Sequence, residues 1–123
     1  MNDQYHEPYE VLDKATRDIT RAVRSLIEEL EAIDWYNQRM VASDDPELRA
    51  ILEHNRDEEA EHAAMTLEWL RRKLPVLDRE LRDNLFKEGP IVGQHGHDHD
   101  HDHDHDIPRA SGRANLNIGS LKK

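Results

Sequence analysis

The chain has 123 residues, 36% hydrophobic and 36% charged, a balance that favours one small domain of solvent-washed helices over a thick globular core. The formal net charge of −10 argues against nucleic acid and anionic membranes as partners. No stretch approaches the roughly 20 apolar residues needed to span a bilayer. Cysteine is absent, which excludes disulfides, thiolate catalysis and iron–sulfur clusters. The first residues lack the basic and apolar regions of a secretory signal, so we expect a cytoplasmic protein.

Residues 8–88 show helical periodicity throughout. We predict that the first helix begins near Pro8, because proline suits the first turn of a helix. Apolar residues then recur at steps of three and four, as a helix with one buried face requires. The helix is predicted to end around residues 43–46, Ser-Asp-Asp-Pro, which supply a turn and an aspartate N-cap for the next helix.

The second helix is predicted from about Pro46 to Lys73, because Pro75 forces a break. A short third helix is predicted from about Val76 to Lys87. We see no strand pattern and no internal repeat. The sequence therefore predicts an all-α fold, an antiparallel two-helix hairpin with a short third helix. Burial within one chain would be thin, which makes association a source of further burial.

Three polar residues fall on apolar helix faces. Glu29 shares a face with Leu26 and Ile33, where a carboxylate is costly to bury unless a positive group neutralises it. On the second helix Glu59 and His62 form a Glu-x-x-His pair. A Glu on one helix and Glu-x-x-His on its neighbour form half of the ligand set of carboxylate-bridged di-iron bundles. The same residues also fit a charged, solvated helix face.

Pairing of two chains would complete the set. A two-fold interface is self-complementary, so each half-site would meet its own copy and the two hairpins would form a four-helix bundle. Carboxylate oxygens stabilise the ferric state and imidazole also suits iron. The sequence therefore predicts a homodimer with a shared Fe²⁺/Fe³⁺ di-iron centre, whose ligands are Glu29, Glu59 and His62 from both subunits.

Two segments carry a resemblance to a known family. Residues 28–36, Glu-Glu-Leu-Glu-Ala-Ile-Asp-Trp-Tyr, and residues 54–72 resemble the two helices of the encapsulated ferritins, ferritin-like proteins packaged inside encapsulin shells. The resemblance covers roughly residues 7–92 and returns at the last eight residues. It implies a ferritin-like bundle, a ring of five dimers (a decamer), and ferroxidase activity, which oxidises Fe²⁺ with O₂ and delivers iron for mineral storage within the shell.

The resemblance also assigns roles to individual residues. It implies that Glu29, Glu59 and His62 are the iron ligands, the same three that spacing selects. Trp35 and Tyr36 match residues close to the site, and Tyr36 is expected to orient a ligand by a hydrogen bond. Glu28 and Glu31 match an acidic site through which metal enters. Ordinary interface packing for Trp35 and a solvated face for Glu28 and Glu31 remain alternatives.

The C-terminal region divides in two. Residues 93–115 contain alternating His and Asp from His97 to Asp106, which we interpret as a flexible linker with weak metal capture as an added role. Residues 116–123 resemble the encapsulin-targeting peptide, an extended segment that would dock its side chains into pockets of the shell. The relevant residues are Leu116, Ile118, Gly119, Ser120 and Leu121. Residues 1–92 form the predicted helical domain, followed by this disordered tail.

Two other functions remain open from the sequence. One is a di-iron peroxidase like rubrerythrin, although that family usually carries its site within a single four-helix chain. The other is a metal-buffering or scaffold protein without catalysis, in which the acidic helices and the His/Asp tract only bind cations.

Overall fold

A computed structural model describes residues 4–93, which contain a short 3-10 helix, Tyr9–Val11, and three α-helices. Helix α1 is Lys14–Ala42, α2 is Pro46–Lys73 and α3 is Pro75–Asn84. No strand occurs within residues 4–93, so the predicted all-α class, with two long helices and a short third, is confirmed. The predictions for residues 94–123 lie outside the described residues.

The junction between α1 and α2 follows the local sequence closely. The carboxylate of Asp45 accepts a hydrogen bond from the backbone nitrogen of Leu48 at 2.9 Å, and Pro46 takes the first helical position. Both features satisfy backbone groups that a helix start leaves without partners. The predicted bounds of the second helix, Pro46 and Lys73, are confirmed.

The predicted start of the first helix near Pro8 is wrong. Pro8 instead precedes the 3-10 helix, Leu12 is extended, and α1 begins after Asp13. The Asp13 carboxylate accepts a hydrogen bond from the Thr16 backbone nitrogen at 2.8 Å, which makes Asp13 the N-cap. The Arg17 guanidinium lies 3.6 Å from the centroid of the Tyr9 ring and donates to the Tyr9 carbonyl, so it holds the 3-10 helix against α1.

The third helix is shorter than predicted. It ends at Asn84 rather than near Lys87, because Phe86 adopts a left-handed backbone conformation with φ of 57°. One residue in that conformation commonly carries the chain out of a helix, although glycine usually occupies the position. No glycine occupies this position, so the end of the helix is not marked in the sequence.

The two long helices pack against each other in opposite directions. Asn37 contacts Arg56, and Glu29 lies beside His62, so residue numbers rise along α1 as they fall along α2. The three-residue connection between the helices is too short for any other arrangement. Burial is thin, as predicted: among the described residues only Arg56, Ala63 and Leu70 are buried, and all three belong to α2.

The described residues fall into two compact units that divide after Asp78. The first contains the 3-10 helix, α1, α2 and the first turn of α3. Within it, Arg71 donates hydrogen bonds to Glu68 on the same helix and to Asp78, which lies beyond the helix break at Leu74. The second unit contains the remainder of α3 and continues to residue 93. None of the described helices has the length and apolar character needed to cross a membrane.

Candidate metal centre

Glu29, Glu59 and His62 converge where the two long helices pack together. Glu29 lies near the middle of α1, and Glu59 and His62 lie one turn apart on α2. One potential ligand atom from each of the three side chains lies within 4.8 Å of the others. Spacing along the chain had placed the two α2 residues on one face, and the packing of the hairpin brings Glu29 to that face.

The imidazole is the centre of the cluster. Nδ1 of His62 lies 3.5 Å from Oε2 of Glu29 and 3.5 Å from Oε2 of Glu59. The side chains of the two carboxylates are 25% and 24% exposed, and that of His62 is 43% exposed. The backbone carbonyl of His62 accepts a hydrogen bond from the Thr66 hydroxyl at 3.1 Å. The three side chains therefore share a partly desolvated site that remains open on one side.

This arrangement fits a metal ion by geometry and by donor type. Nitrogen and oxygen ligands bind such ions at about 2.0–2.2 Å, so two ligands of one ion lie no more than about 4.4 Å apart. Both separations from Nδ1 fall within that limit. Two carboxylates beside one imidazole also leave excess negative charge, which a cation would compensate. Two carboxylate oxygens and one imidazole nitrogen form a donor set that suits iron.

Large apolar side chains lie exposed along the described helices. A groove of about 370 Å³ lies one helical turn beyond the three-residue cluster, with Ser25 on α1 and Thr66 on α2 in its walls. Trp69 and Met65 line the same groove, and 57% of Met65 is exposed. Apolar surface beside a polar cluster is typical of a region that another protein covers.

The other predicted residues do not join the cluster in a single chain. Tyr36 is half-buried, and its ring centroid lies 5.4 Å from the guanidinium carbon of Arg39. Trp35 is 51% exposed and borders a separate shallow depression with Gln38 and Arg39. The predicted hydrogen bond from Tyr36 to a ligand therefore stays a prediction for paired chains.

Glu28 and Glu31 also lie outside the cluster. Both are exposed on α1, on either side of the partly buried Glu29 and the exposed Leu30. Exposed carboxylates of this kind raise the local concentration of cations without holding one in fixed geometry. Their predicted role in metal entry stays a prediction.

Sequence reasoning missed Arg56. Its side chain is 2% exposed, and it is the buried charged residue of the described chain. Its Nη1 donates to Oδ1 of Asn37 on α1 at 3.0 Å, and its Nε and Nη2 each donate to Oδ1 of Asp57 at 3.3 Å. The signal that could have revealed it is spacing, because Arg56, Ala63 and Leu70 follow one another at intervals of seven residues.

Comparisons with known proteins agree with the fold. The EncFtn-like protein family matches residues 4–88. An encapsulated ferritin-like protein of Rhodospirillum rubrum is 54% identical over 121 residues, which are 95% of this chain and 86% of that protein. A ferritin-like protein of Thermotoga maritima is 58% identical over 92 residues, 75% of this chain and 81% of that protein.

A solved structure supports the same assignment. The crystal structure of protein ne0167 from Nitrosomonas europaea superposes with a TM-score of 0.71 and 60% sequence identity, covering 73% of this chain and 99% of that chain. The family match and the named relatives confirm the resemblance found in the sequence. The chain belongs to the EncFtn-like family of encapsulated ferritin-like proteins.

Proposed function

We propose that this protein is a ferroxidase that oxidises Fe²⁺ with O₂ at a di-iron centre shared by two copies of the chain. The observation that carries the proposal is the convergence of Glu29, Glu59 and His62, whose ligand atoms lie within 4.8 Å of one another. Membership of a ferritin-like family supports iron as the metal. The overall reaction is 4 Fe²⁺ + O₂ + 4 H⁺ to 4 Fe³⁺ + 2 H₂O.

The number of ligands supports a shared centre. One hairpin supplies three protein ligands, whereas the di-iron bundles use four carboxylates and two histidines. Two copies related by a two-fold axis supply that set, and four carboxylates balance the charge of two Fe²⁺ ions. The thin core and the exposed apolar side chains beside the cluster also favour association, because pairing of two chains would bury apolar surface that one chain leaves exposed.

Each residue has a separate task in this proposal. Glu29 and Glu59 hold Fe²⁺ and favour the ferric product, because hard carboxylate oxygens bind Fe³⁺ more tightly than Fe²⁺. His62 contributes a nitrogen ligand, and Tyr36 orients a ligand once the chains pair. Glu28 and Glu31 attract Fe²⁺ towards the centre. The bound iron supplies the electrons that reduce O₂, and the side chains hold it in place.

We also propose that the protein is cargo of an encapsulin shell and acts inside it. The Rhodospirillum rubrum relative is named an encapsulated ferritin-like protein, and a relative from Myxococcus xanthus, 42% identical over 59 residues, is named an encapsulin nanocompartment cargo protein. Residues 116–123 would dock to the shell and residues 93–115 would link them to the helical domain 1–92. A ring of five dimers would be the assembled form.

The test is iron oxidation by purified full-length protein, followed by ferric absorbance and O₂ consumption. Glu59→Ala and His62→Ala should lose most of the initial rate, whereas Glu61→Ala, an exposed carboxylate between them, should keep it. Addition of Fe²⁺ should raise the native mass above that of a monomer. Unchanged oxidation in both ligand variants would refute the assigned centre, and a clear preference for H₂O₂ over O₂ would favour a peroxidase.

A further inference from the structure

We propose that Arg56 is a positioning residue for the metal centre, which fixes the rotation of α2 against α1 so that Glu59 and His62 meet Glu29. The inference rests on the proposed function, because it concerns the same three ligands. Arg56 itself would not contact the metal. Its role would be to fix how the two long helices are oriented against each other.

The contacts of Arg56 bridge the two helices. On α1 its Nη1 donates to Asn37 Oδ1 at 3.0 Å and lies 3.6 Å from Met40 Sδ. On α2 its Nε and Nη2 donate to Asp57, and Nη2 lies 3.9 Å from a carboxylate oxygen of Glu53. A planar guanidinium directs several hydrogen bonds at fixed angles, so these contacts define an orientation as well as a distance.

The remaining buried contacts of α2 are less directional. Ala63 and Leu70 are the other two buried residues of the described chain, 7% and 3% exposed. They follow Arg56 at intervals of seven, and at 3.6 residues per turn each such step turns only about 20° around a helix. The three form one buried line along α2. Apolar contacts made by a methyl group and a leucine tolerate small rotations, because hydrophobic burial has no preferred direction.

The ligands lie to one side of this line. Glu59 comes three residues after Arg56 and His62 six, which puts them about 60° and about 120° around the helix on the same flank. Their side chains therefore approach Glu29 from the flank of α2 and not from its buried line. A rotation of α2 by about 10° would move atoms at a helix radius of about 5–6 Å by about 1 Å. Metal–ligand distances tolerate only about 0.2 Å, so the site depends on a fixed rotation.

Arg56 is well placed to supply that constraint. It lies one turn from Glu59, on the side of the cluster nearest the connection between the helices. Its partner Asn37 lies two turns beyond Glu29 on α1, and the side chains of both Glu29 and Asn37 contact α2. The pair Arg56–Asn37 and the pair His62–Glu29 are thus successive cross-helix contacts along the same hairpin.

The test separates positioning from folding by replacing the polar bridge with apolar side chains. In the double variant Asn37→Leu/Arg56→Met, the charge and its α1 partner disappear together, which avoids a buried unpaired charge. We expect this variant to keep its helicity and melting temperature. Its affinity for Zn²⁺ and for Fe²⁺ without O₂, measured by titration calorimetry, should fall about 10–100-fold, as is common when residues that orient metal ligands are lost.

Two further variants define the result. Arg56→Lys keeps the charge but not the planar fork, so it should fold and show an intermediate loss of affinity. Arg49→Met is the matched control, because Arg49 is exposed on α2 seven residues before Arg56, and its affinity should not change. If the double variant does not fold, Arg56→Lys decides the question by affinity at an unchanged melting temperature.

The outcomes distinguish this inference from the proposed function. The positioning role is overturned if the folded Asn37→Leu/Arg56→Met variant binds metal with wild-type affinity. If that variant does not fold, wild-type affinity in folded Arg56→Lys overturns it. If Glu59→Ala loses metal under the same conditions, the proposed centre survives that result. If Glu59→Ala also binds metal as the wild type does, the centre is wrong and the inference falls with it.

Discussion

Removal of a ligand carboxylate should stabilise the metal-free protein and abolish stabilisation by metal. Glu59→Gln preserves the shape of the side chain but removes one of two negative charges that lie within 4.8 Å of each other. At that distance their repulsion amounts to about 0.9 kcal/mol at the dielectric constant of water and about 3.5 kcal/mol at an effective value of 20. Functional sites commonly carry such a cost in stability.

The repulsion between the two carboxylates should lie in the lower part of that range. Both carboxylates are about one quarter exposed, and solvent screens charges at such positions. We therefore expect Glu59→Gln to gain about 1 kcal/mol, or about 4–8 °C in melting temperature for a domain of this size.

The assay compares thermal unfolding by circular dichroism at pH 8, at equal chain concentration, with chelator and with excess Zn²⁺. With chelator Glu59→Gln should melt above the wild type. With metal the order should reverse, because ligand at 100 times its dissociation constant adds about 2.7 kcal/mol only to a protein that binds it. Glu61→Gln makes the same charge change at an exposed position and should stay within about 0.5 kcal/mol of the wild type.

Two results would contradict this reasoning. A lower melting temperature for Glu59→Gln in chelator would mean that the carboxylate stabilises the metal-free hairpin, for example through its contact with His62. An equal rise on adding metal in the variant and the wild type would mean that Glu59 is not a ligand.

Three further predictions concern the core, an ion-pair cluster and the tail. Leu70→Ala should lower the free energy of unfolding by about 2–3 kcal/mol, the lower part of the usual range, because so thin a core can relax around the cavity. Chemical denaturation measures this change, and a loss below about 0.5 kcal/mol would contradict the prediction. Hydrogen bonds from Arg71, and then from Arg72, lower the pKa of Glu68 from 4.5 to about 2. This pairing therefore stabilises the fold above pH 4.5, and its contribution is lost as the pH falls towards 2. Glu68→Gln should therefore be less stable than the wild type at pH 7 and equally stable near pH 2. A difference in the free energy of unfolding that persists at pH 2 would refute this. Deletion of residues 116–123 should abolish packaging when the protein is co-expressed with an encapsulin shell protein, while iron oxidation by the free protein remains; undiminished packaging, measured by co-purification with assembled shells, would reject the targeting role.

Local sequence signals specified most of the helical framework. Asp45 and Pro46 mark the start of α2, and Pro75 marks its end, because capping and the missing proline N–H act within one turn. The same local character explains the two errors. Asp13 caps α1, so the helix begins there and not at Pro8, although proline favours a first helical turn. The end of α3 before Phe86 depends on a left-handed backbone conformation that a phenylalanine in the sequence does not indicate.

The ligand set was also accessible from spacing. Residues three and four apart share a helix face, so Glu59 and His62 had to lie together whatever the tertiary structure. Membership of Glu29 in the same cluster was a hypothesis, since it required a particular pairing of the two helices. The distances of 3.5 Å from His62 to both carboxylates support that pairing.

The sequence by itself determined the order of the helices, the bounds of α2, which side chains share a helix face, and the family to which the chain belongs. Only the tertiary structure decided which line of α2 turns inward, the line of Arg56, Ala63 and Leu70. Helical periodicity fixes the relative angles of side chains around one helix, whereas the rotation of that helix against its neighbour depends on contacts between residues distant in the chain. The spacing of Arg56 puts it on the same face as Ala63 and Leu70, but its burial against Asn37 depends on how α1 packs on that face.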